Sequence, residues 1–527
     1  MTTDIRFRVF ANLYKDSVAL MQVGAALRKR PGVVEASCIM ATPANLAQLQ
    51  HAELSVDADV HPSDLLVVVR GEAQACDDAI DTAQTLLQGV GGEAPAERSG
   101  DFSLPLTSIA AGVEQSSDAD LALISVPGDY AAAEAMKALS LGLHVMLFSD
   151  NVDIDRERVI KRHAEECGLL VMGPDCGTAI INGIPLGFAN VVRRGDIGLV
   201  AASGTGLQEV TCRIHNRGAG VSQAIGTGGR DLRDEIGGLT MRAALRALAD
   251  DDATRVIVLI SKPPSPTVAS YILSLAAASG KPTVVHFLGA AADTVQGANL
   301  HAAESLADAA DIAVTLTQRS AHKGSPALPS NDSPSGHEHA LEGLARTQRA
   351  VRGLFTGGTF CFEAQLAFLR RGLRCRSNAP AAGALPLDGS ADDHVFVDLG
   401  DDEYTRGRPH PMIDPSLRNT AIREASRDPA VAILLFDVVL GFGSHSSPAD
   451  ELADALRDAQ RAAAAQGRKL ASIGHVCGTD GDPQDRVAQI RTLASAGAIV
   501  TDSNIQAASI AAQLALQLAK RHPVDPR

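Results

Sequence analysis

At 527 residues the chain is too long for one hydrophobic core and should hold three or four domains. A hydrophobic share of 45% is ordinary for a globular protein, while a net charge of -15, no Trp and only four Tyr argue against nucleic-acid or anionic-membrane binding. The eight Cys are scattered with no CxxC pair, so neither a zinc ribbon nor a disulfide framework is expected and a reduced, cytoplasmic setting fits. The opening Met1-Thr-Thr-Asp-Ile-Arg lacks a signal-peptide apolar stretch, and no apolar run reaches the roughly 18 residues of a membrane span.

Residues 1–95 read as a small α/β sandwich of ferredoxin-like or ACT-like order, with strands near 5–13, 33–40 and 65–69 and helices near 17–28 and 73–87. Residues 105–192 alternate strands (121–126, 144–148, 169–172) with helices (130–141, 159–167), which implies a Rossmann-like parallel sheet. No Gly-x-Gly-x-x-Gly turn opens this region, so a dinucleotide or coenzyme that needs one is poorly supported. Residues 195–318 form a third α/β region, 319–345 a Ser-, Pro-, Gly- and His-rich linker, and 350–525 a fourth α/β region.

The fourth region repeats the third. An apolar run leads into Ser203-Gly204-Thr205-Gly206 with Glu209 four residues after the Thr; another leads into Gly358-Thr359 with Glu363 at the same spacing. The strands near 395–399, 432–436 and 471–475 then correspond to those near 225, 256–260 and 283–287. A strand that ends in Gly-Thr and turns into a helix leaves free N–H groups at the positive end of the helix dipole, a place suited to phosphate. Two such turns suggest two facing half-sites, with Glu209 and Glu363 either complementing the dipole or orienting a ligand.

Three further clusters carry able side chains. Arg406, Arg408, His410 and Asp414 fall in one Pro-rich insert, where the arginines could clamp an anion, His410 could move a proton or carry a phosphoryl group, and the alternative is a rigid turn. Gly443, Ser444 and His445 open a helix after an apolar strand and make a third anion-ready turn. Cys477, Thr479 and Asp480 follow the last long strand; Cys477 is a candidate thiolate, although a lone Cys is more often packed. No metal site is expected.

At Gly173-Pro-Asp-Cys-Gly, Ser203-Gly-Thr-Gly-Leu-Gln-Glu209 and Gly226-Thr-Gly-Gly229 the chain resembles the succinyl-CoA synthetase α subunit, and from Val395 to His445 the carboxy-terminal part of the β subunit. With Gly-Arg408-Pro-His410-Pro-Met-Ile-Asp414-Pro and Cys477-Gly-Thr-Asp, the whole is similar to the FdrA family, in which α-like and β-like pieces are fused behind an added N-terminal domain. The resemblance implies a CoA-binding-type Rossmann domain followed by two flavodoxin-like, succinyl-CoA-synthetase-like domains. The synthetase's phosphohistidine loop should fall near residue 297, where His301 stands without flanking glycines, so a phosphohistidine is not expected. The ATP-grasp half has no counterpart, which leaves coenzyme A and ATP doubtful and inorganic phosphate as the implied substrate.

By that resemblance, Ser203–Glu209 and Gly441–His445 would hold the phosphoryl group. The function implied is one subunit of a carbamoyltransferase that interconverts a ureido acid plus phosphate with carbamoyl phosphate plus an amide or amine, working with companion subunits or as a homo-oligomer. Charge on the phosphate would be met by helix-start N–H groups and Arg406 or Arg408, with His410 or Asp414 moving the proton. The alternatives are an acyl-CoA synthetase subunit and a non-catalytic scaffold of such a complex.

Overall fold

The computed structural model describes residues 3–521 except 12, 14, 16, 43–44, 47–48, 51–53, 55, 57–59, 90–105, 322–336, 388–392 and 406–408. It begins with a three-stranded antiparallel sheet, β1 (Asp4–Phe10), β2 (Val33–Met40) and β3 (Leu65–Gly71), in the order β1-β3-β2. The run Leu-Leu-Val-Val-Val on β3 is apolar throughout because both faces are covered: Leu65, Val67 and Val69 pack under the helices, Leu66 and Val68 on the opposite side. Cys76, Ala79, Ile80, Ala83 and Leu87 give the helix Ala73–Gly89 the apolar stripe that lies on that sheet.

A parallel sheet follows, made of β4 (Leu121–Ile124), β5 (His144–Leu147) and β6 (Val171–Met172). The hairpin β7 (Thr178–Ile181) and β8 (Ile184–Gly187) does not continue it. β7 pairs antiparallel with β10, so the hairpin extends the next sheet. That sheet contains β9 (Arg194–Ala202), β10 (Val221–Gly226), β11 (Val256–Ser261), β12 (Thr283–Phe287) and β13 (Leu300–Ala302), in the order β13-β12-β11-β9-β10-β7-β8.

The last sheet is entirely parallel: β14 (Ala350–Phe355), β15 (Cys375–Ser377), β16 (His394–Asp398), β17 (Val431–Val439), β18 (Ala471–Cys477) and β19 (Ala498–Thr501), ordered β15-β16-β14-β17-β18-β19. Its run β19-β18-β17-β14-β16 matches β13-β12-β11-β9-β10 place for place, so the repeat read from sequence is a repeat of topology. The α/β class with parallel sheets is as expected.

The two large sheets share one core. Leu207 and Val210 of helix Gly204–Asn216, Ala309 and Ala313 of helix Leu306–Ala321, Phe360 and Ala364 of helix Gly358–Leu369, and Ala508 and Ala511 of helix Asn504–Arg521 all belong to it. Alanine on facing helices permits close approach, and a helix covered on several sides must be apolar or have its polar groups paired there. Helix Gly204–Asn216 is accordingly buried from Thr205 to His215. No helix among the described residues is long and apolar enough to cross a membrane.

Candidate functional site

β9 and β14 occupy equivalent places, and each ends in a helix start. Ser203 caps its helix with extended backbone, Oγ accepting from Gly206 N–H at 3.0 Å. Its hydroxyl also lies 2.6 Å from Thr359 Oγ1 at the other helix start. Gly357 makes that approach possible, since a Cβ there would stand 2.8 Å from Thr205 Cγ2. The two Gly-Thr turns therefore meet.

They are not equivalent. At the second turn the carboxylate of Asp437, from β17, accepts from Thr356 N–H (2.7 Å), Thr356 Oγ1 (2.9 Å) and Gly357 N–H (2.8 Å). Arg418 donates to the Asp437 backbone carbonyl at 2.6 Å, and its guanidinium stands 4.0 Å from Asp437 Oδ1. The Asp398 carboxylate sits over Gly358, where a Cβ would meet its Oδ2 at 2.3 Å. The second helix start is thus filled by the protein's own anions, while no carboxylate of the described residues is hydrogen-bonded at Gly204 or Thr205.

Both turns open on a cavity of about 670 Å³. One wall is Ser203, Gly204, Thr205, Gly358 and Thr359. A second comes from the ends of β5 and β6, with Phe148, Asp150 and Asp175. The N-terminal domain supplies a third, with Leu20, Met21, Gly24, Arg28 and Met40. Asp398, Gly400 and His410 complete the lining together with Lys262, the residue after β11.

His410 is positioned as a donor. Its Nδ1 accepts Met412 N–H at 3.2 Å, which places the ring proton on Nε2, and Nε2 lies beside Gly400 at the cavity wall. Burial pushes its pKa down to about 4, so the ring is neutral at physiological pH. A neutral ring with its proton on Nε2 can donate to an oxygen but has no lone pair there to receive a phosphoryl group. Asp175 is open to the cavity yet deep in the molecule; burial, with Asp150 and Asp402 beside it, raises its pKa to about 7. Burial likewise lifts Asp398 to about 6, against the pull of Lys262.

Ser203, Gly204, Thr205, Gly358, Thr359 and His410 thus line one cavity, and Gly206 closes the Ser203 cap. The remaining expected residues stand elsewhere. Glu209 pairs with His475, and Glu363 accepts from Leu306 N–H (3.1 Å) and Asn504 Nδ2 (2.8 Å), both inside the core between the sheets. Asp414 forms an ion pair with Arg28 at 2.7 Å and accepts from Ser416 N–H. Gly443 packs on Phe188, Ser444 stands beside it, and His445 Nε2 contacts Lys29 Nζ at 2.8 Å. The expectation that Gly441–His445 forms the second half of a phosphate site is therefore corrected: that loop docks on neighbouring segments, and the second Gly-Thr turn takes the facing position.

Cys477 is buried beside Cys212 and Glu209, and burial raises its thiol well above the usual range, which removes the thiolate role. Thr479 donates to Val191 O at 2.6 Å, and the exposed Asp480 meets His215, so their loop latches one half of the chain to the other. His301 lies on the edge strand β13 opposite Val284, away from the cavity. Arg406 and Arg408 lie outside the described residues.

Sequence reasoning missed Asp150, Asp175, Lys262 and Asp398 as site residues. All four stand within three residues of the C-terminal ends of parallel strands, the rim where α/β sheets place ligands, and that rule could have found them.

Three family models match the chain: "AllF, heavy metal-associated domain" at residues 1–101, "CoA binding domain" at 192–289 and "CoA-ligase" at 354–514. The protein YahF of Escherichia coli K12 is 40% identical over 504 residues, 95% of this chain and 96% of that one. The chain belongs to the YahF family. It is an FdrA/AllF-like, succinyl-CoA-synthetase-like protein. The succinate–CoA ligase [ADP-forming] subunit alpha 2 of Archaeoglobus fulgidus is 29% identical over 28% of this chain. The ADP-forming sulfoacetate-CoA ligase subunit SauD of Bilophila wadsworthia is 28% identical over 27% of it. The chain spans about half the length of each of these two ligase subunits. Among solved structures, the dinucleotide-forming acetyl-coenzyme A synthetase 1 of Ca. Korarchaeum cryptofilum covers 77% of this chain and 86% of its own at 16% identity, with a TM-score of 0.28, too distant to carry an argument.

These matches correct the expected enzyme class. Two of the three family models and both of these ligase subunits belong to CoA ligases, and none of these matches is to a carbamoyltransferase, which overturns the expected transferase class. The name of the first family model raises a metal, and the donors do not fit one. Cys38 and Cys76, the cysteines of that region, lie in the hydrophobic core on a strand and a helix, and burial pushes Cys38 up to about 12. Among the described residues no group of three or more His, Cys, Asp or Glu side chains is arranged to hold a metal ion.

Proposed function

We propose that this family member is the acyl-transfer component of an acid–thiol ligase. An acyl phosphate would bind with its phosphate at the unblocked helix start, Ser203–Thr205, and its acyl group toward the N-terminal wall of Leu20, Met21 and Met40. His410 Nε2–H would donate to the acyl oxygen as charge develops there, a preorganised donor at the cavity wall. A thiol of the coenzyme A type would then displace phosphate, and a companion subunit would supply the activated acid.

The observation that supports this reading best is the meeting of the two helix starts at Ser203 and Thr359 on the cavity wall. The test mixes the full-length protein with coenzyme A and acetyl, propionyl or succinyl phosphate and follows thioester formation. Thioester formed by wild type and reduced in Ser203→Ala supports the reading. Wild type without thioester product across the panel sinks it.

A further inference from the structure

Asp398 is the last residue of β16, and its main chain is fixed on both sides. Its N–H donates to Asn378 Oδ1 at 2.9 Å, and its carbonyl accepts from Asn378 Nδ2 at 3.0 Å. The residue is 5% exposed. Oδ1 accepts Gly400 N–H at 3.0 Å, but among the described residues no hydrogen bond reaches Oδ2, which points over Gly358 at the cavity wall. With no donor from the described residues, Oδ2 is left to meet a group that enters the cavity. His410 Nε2 stands close by, since a Cβ on Gly400 would lie 2.7 Å from that nitrogen and 3.3 Å from Asp398 Oδ1. The hydroxyls of Ser203 and Thr359 open on the same cavity.

We propose that Asp398 is the proton acceptor of acyl transfer in this cavity, its Oδ2 taking the proton of the attacking thiol. The step rests on the ligase reading above. Sulfur bonds to the acyl carbon as its proton passes to Oδ2. The carbon–oxygen bond to phosphate then breaks, its electron pair leaving on phosphate, and Asp398 returns the proton to that phosphate. Burial raises the carboxyl to about 6, near the working range of a general base. The charges around it are Lys262 from the β11 end, Asp401 from its own loop and Asp437 from β17.

The experiment compares wild type, Asp398→Asn and Asp398→Ala in thioester formation from acetyl phosphate and coenzyme A, from pH 5 to 8. A proton acceptor predicts a loss of about a hundredfold or more in Asp398→Asn, disappearance of the acidic limb near pH 6, and partial rescue of Asp398→Ala by formate. Calorimetry with sulfate, whose charge is constant over this range, adds a readout independent of turnover. Wild-type affinity falls as pH rises and Asp398 ionises beside the anion, and Asp398→Asn loses that component. Asp175 and Asp150 titrate in the same cavity, so the difference between the two proteins is the measurement. An active wild type with an equally active Asp398→Asn overturns this step alone. An inactive wild type overturns the ligase reading and the step together. If Asp398→Asn melts far below wild type, Asp398→Glu decides: activity retained with a shifted acidic limb supports the step, and an unshifted limb overturns it.

Discussion

His475 Nε2 meets Glu209 Oε2 at 2.7 Å, across 266 residues of sequence, with both side chains 3% exposed. Nδ1–H donates to Thr501 O at 3.1 Å, so both nitrogens of the imidazolium are satisfied. The pair joins helix Gly204–Asn216 of one sheet to β18 of the other. Glu209→Gln leaves a buried cation without its partner, and we expect a loss of about 3–5 kcal/mol. Replacing both residues by apolar ones of similar volume should cost less than the sum of the singles. Denaturant midpoints in a double-mutant cycle measure this.

The same pair sets a pH dependence. Burial alone would lower the His475 pKa, but the adjacent Glu209 carboxylate raises it to about 10, while His475 holds Glu209 below its ordinary value despite burial. A raised folded pKa means stabilisation that is full below the unfolded value of about 6.5 and is lost as pH climbs through about 10. A lowered carboxylate gives stabilisation present above about 4.5 and lost in acid. Melting temperature should therefore decline steadily from about pH 6.5 to 10, and His475→Gln should flatten that decline.

Arg28 binds Asp414 at 2.7 Å and Glu35 at 3.2 Å, and Lys29 reaches Glu451 at 2.8 Å. Asp414 is 4% exposed, so Arg28→Ala strands a buried carboxylate where the N-terminal domain meets the last domain. We expect faster amide exchange along helix Ser17–Arg28 in Arg28→Ala and in Asp414→Ala, with no further increase in the double variant. The exposed Lys29–Glu451 pair should contribute under about 1 kcal/mol. Additive exchange rates would show that the two residues do not act as a pair.

Gly357→Val forces Cβ into Thr205 Cγ2, which lies 2.8 Å from the ideal Cβ position, and into Phe360 Cδ2 at 2.9 Å. The cheapest relief is to part the two helix starts, breaking the Ser203–Thr359 hydrogen bond. Sulfate affinity measured by calorimetry should fall at least tenfold, while Ser203→Ala costs about 0.5–2 kcal/mol of stability through the lost cap. Unchanged sulfate affinity in Gly357→Val would show that anion binding does not need the two turns together.

Much of this was legible in the sequence. Apolar runs and Gly-Thr turns give the strands β9 and β14, and matching the later strands gives which elements of the two large sheets correspond, though not their lateral order. The expected roles of Glu209, Glu363 and Cys477 went astray for a physical reason. Helical spacing fixes where a side chain stands relative to its own helix start, but it does not say which neighbour covers that face. Glu209 lies nearly two turns below Ser203, and its partner His475 on the facing sheet holds it in the core. Asp398 and Asp175 were missed for the opposite reason: each is an ordinary acid in its local sequence, and only the convergence of strand ends from separate sheets makes it part of a site. The hairpin β7–β8 joined an unexpected sheet because its partner, β10, lies about forty residues further along the chain.

The meeting of Ser203 and Thr359 has a kinetic consequence. Both halves of the cavity wall stand on one chain, so their encounter is unimolecular and governed by an effective concentration rather than by the amount of protein present. Dilution cannot separate them. A two-chain form, cut between residues 321 and 337, should lose anion binding progressively at low concentration, whereas the intact chain keeps its two helix starts in register at any concentration.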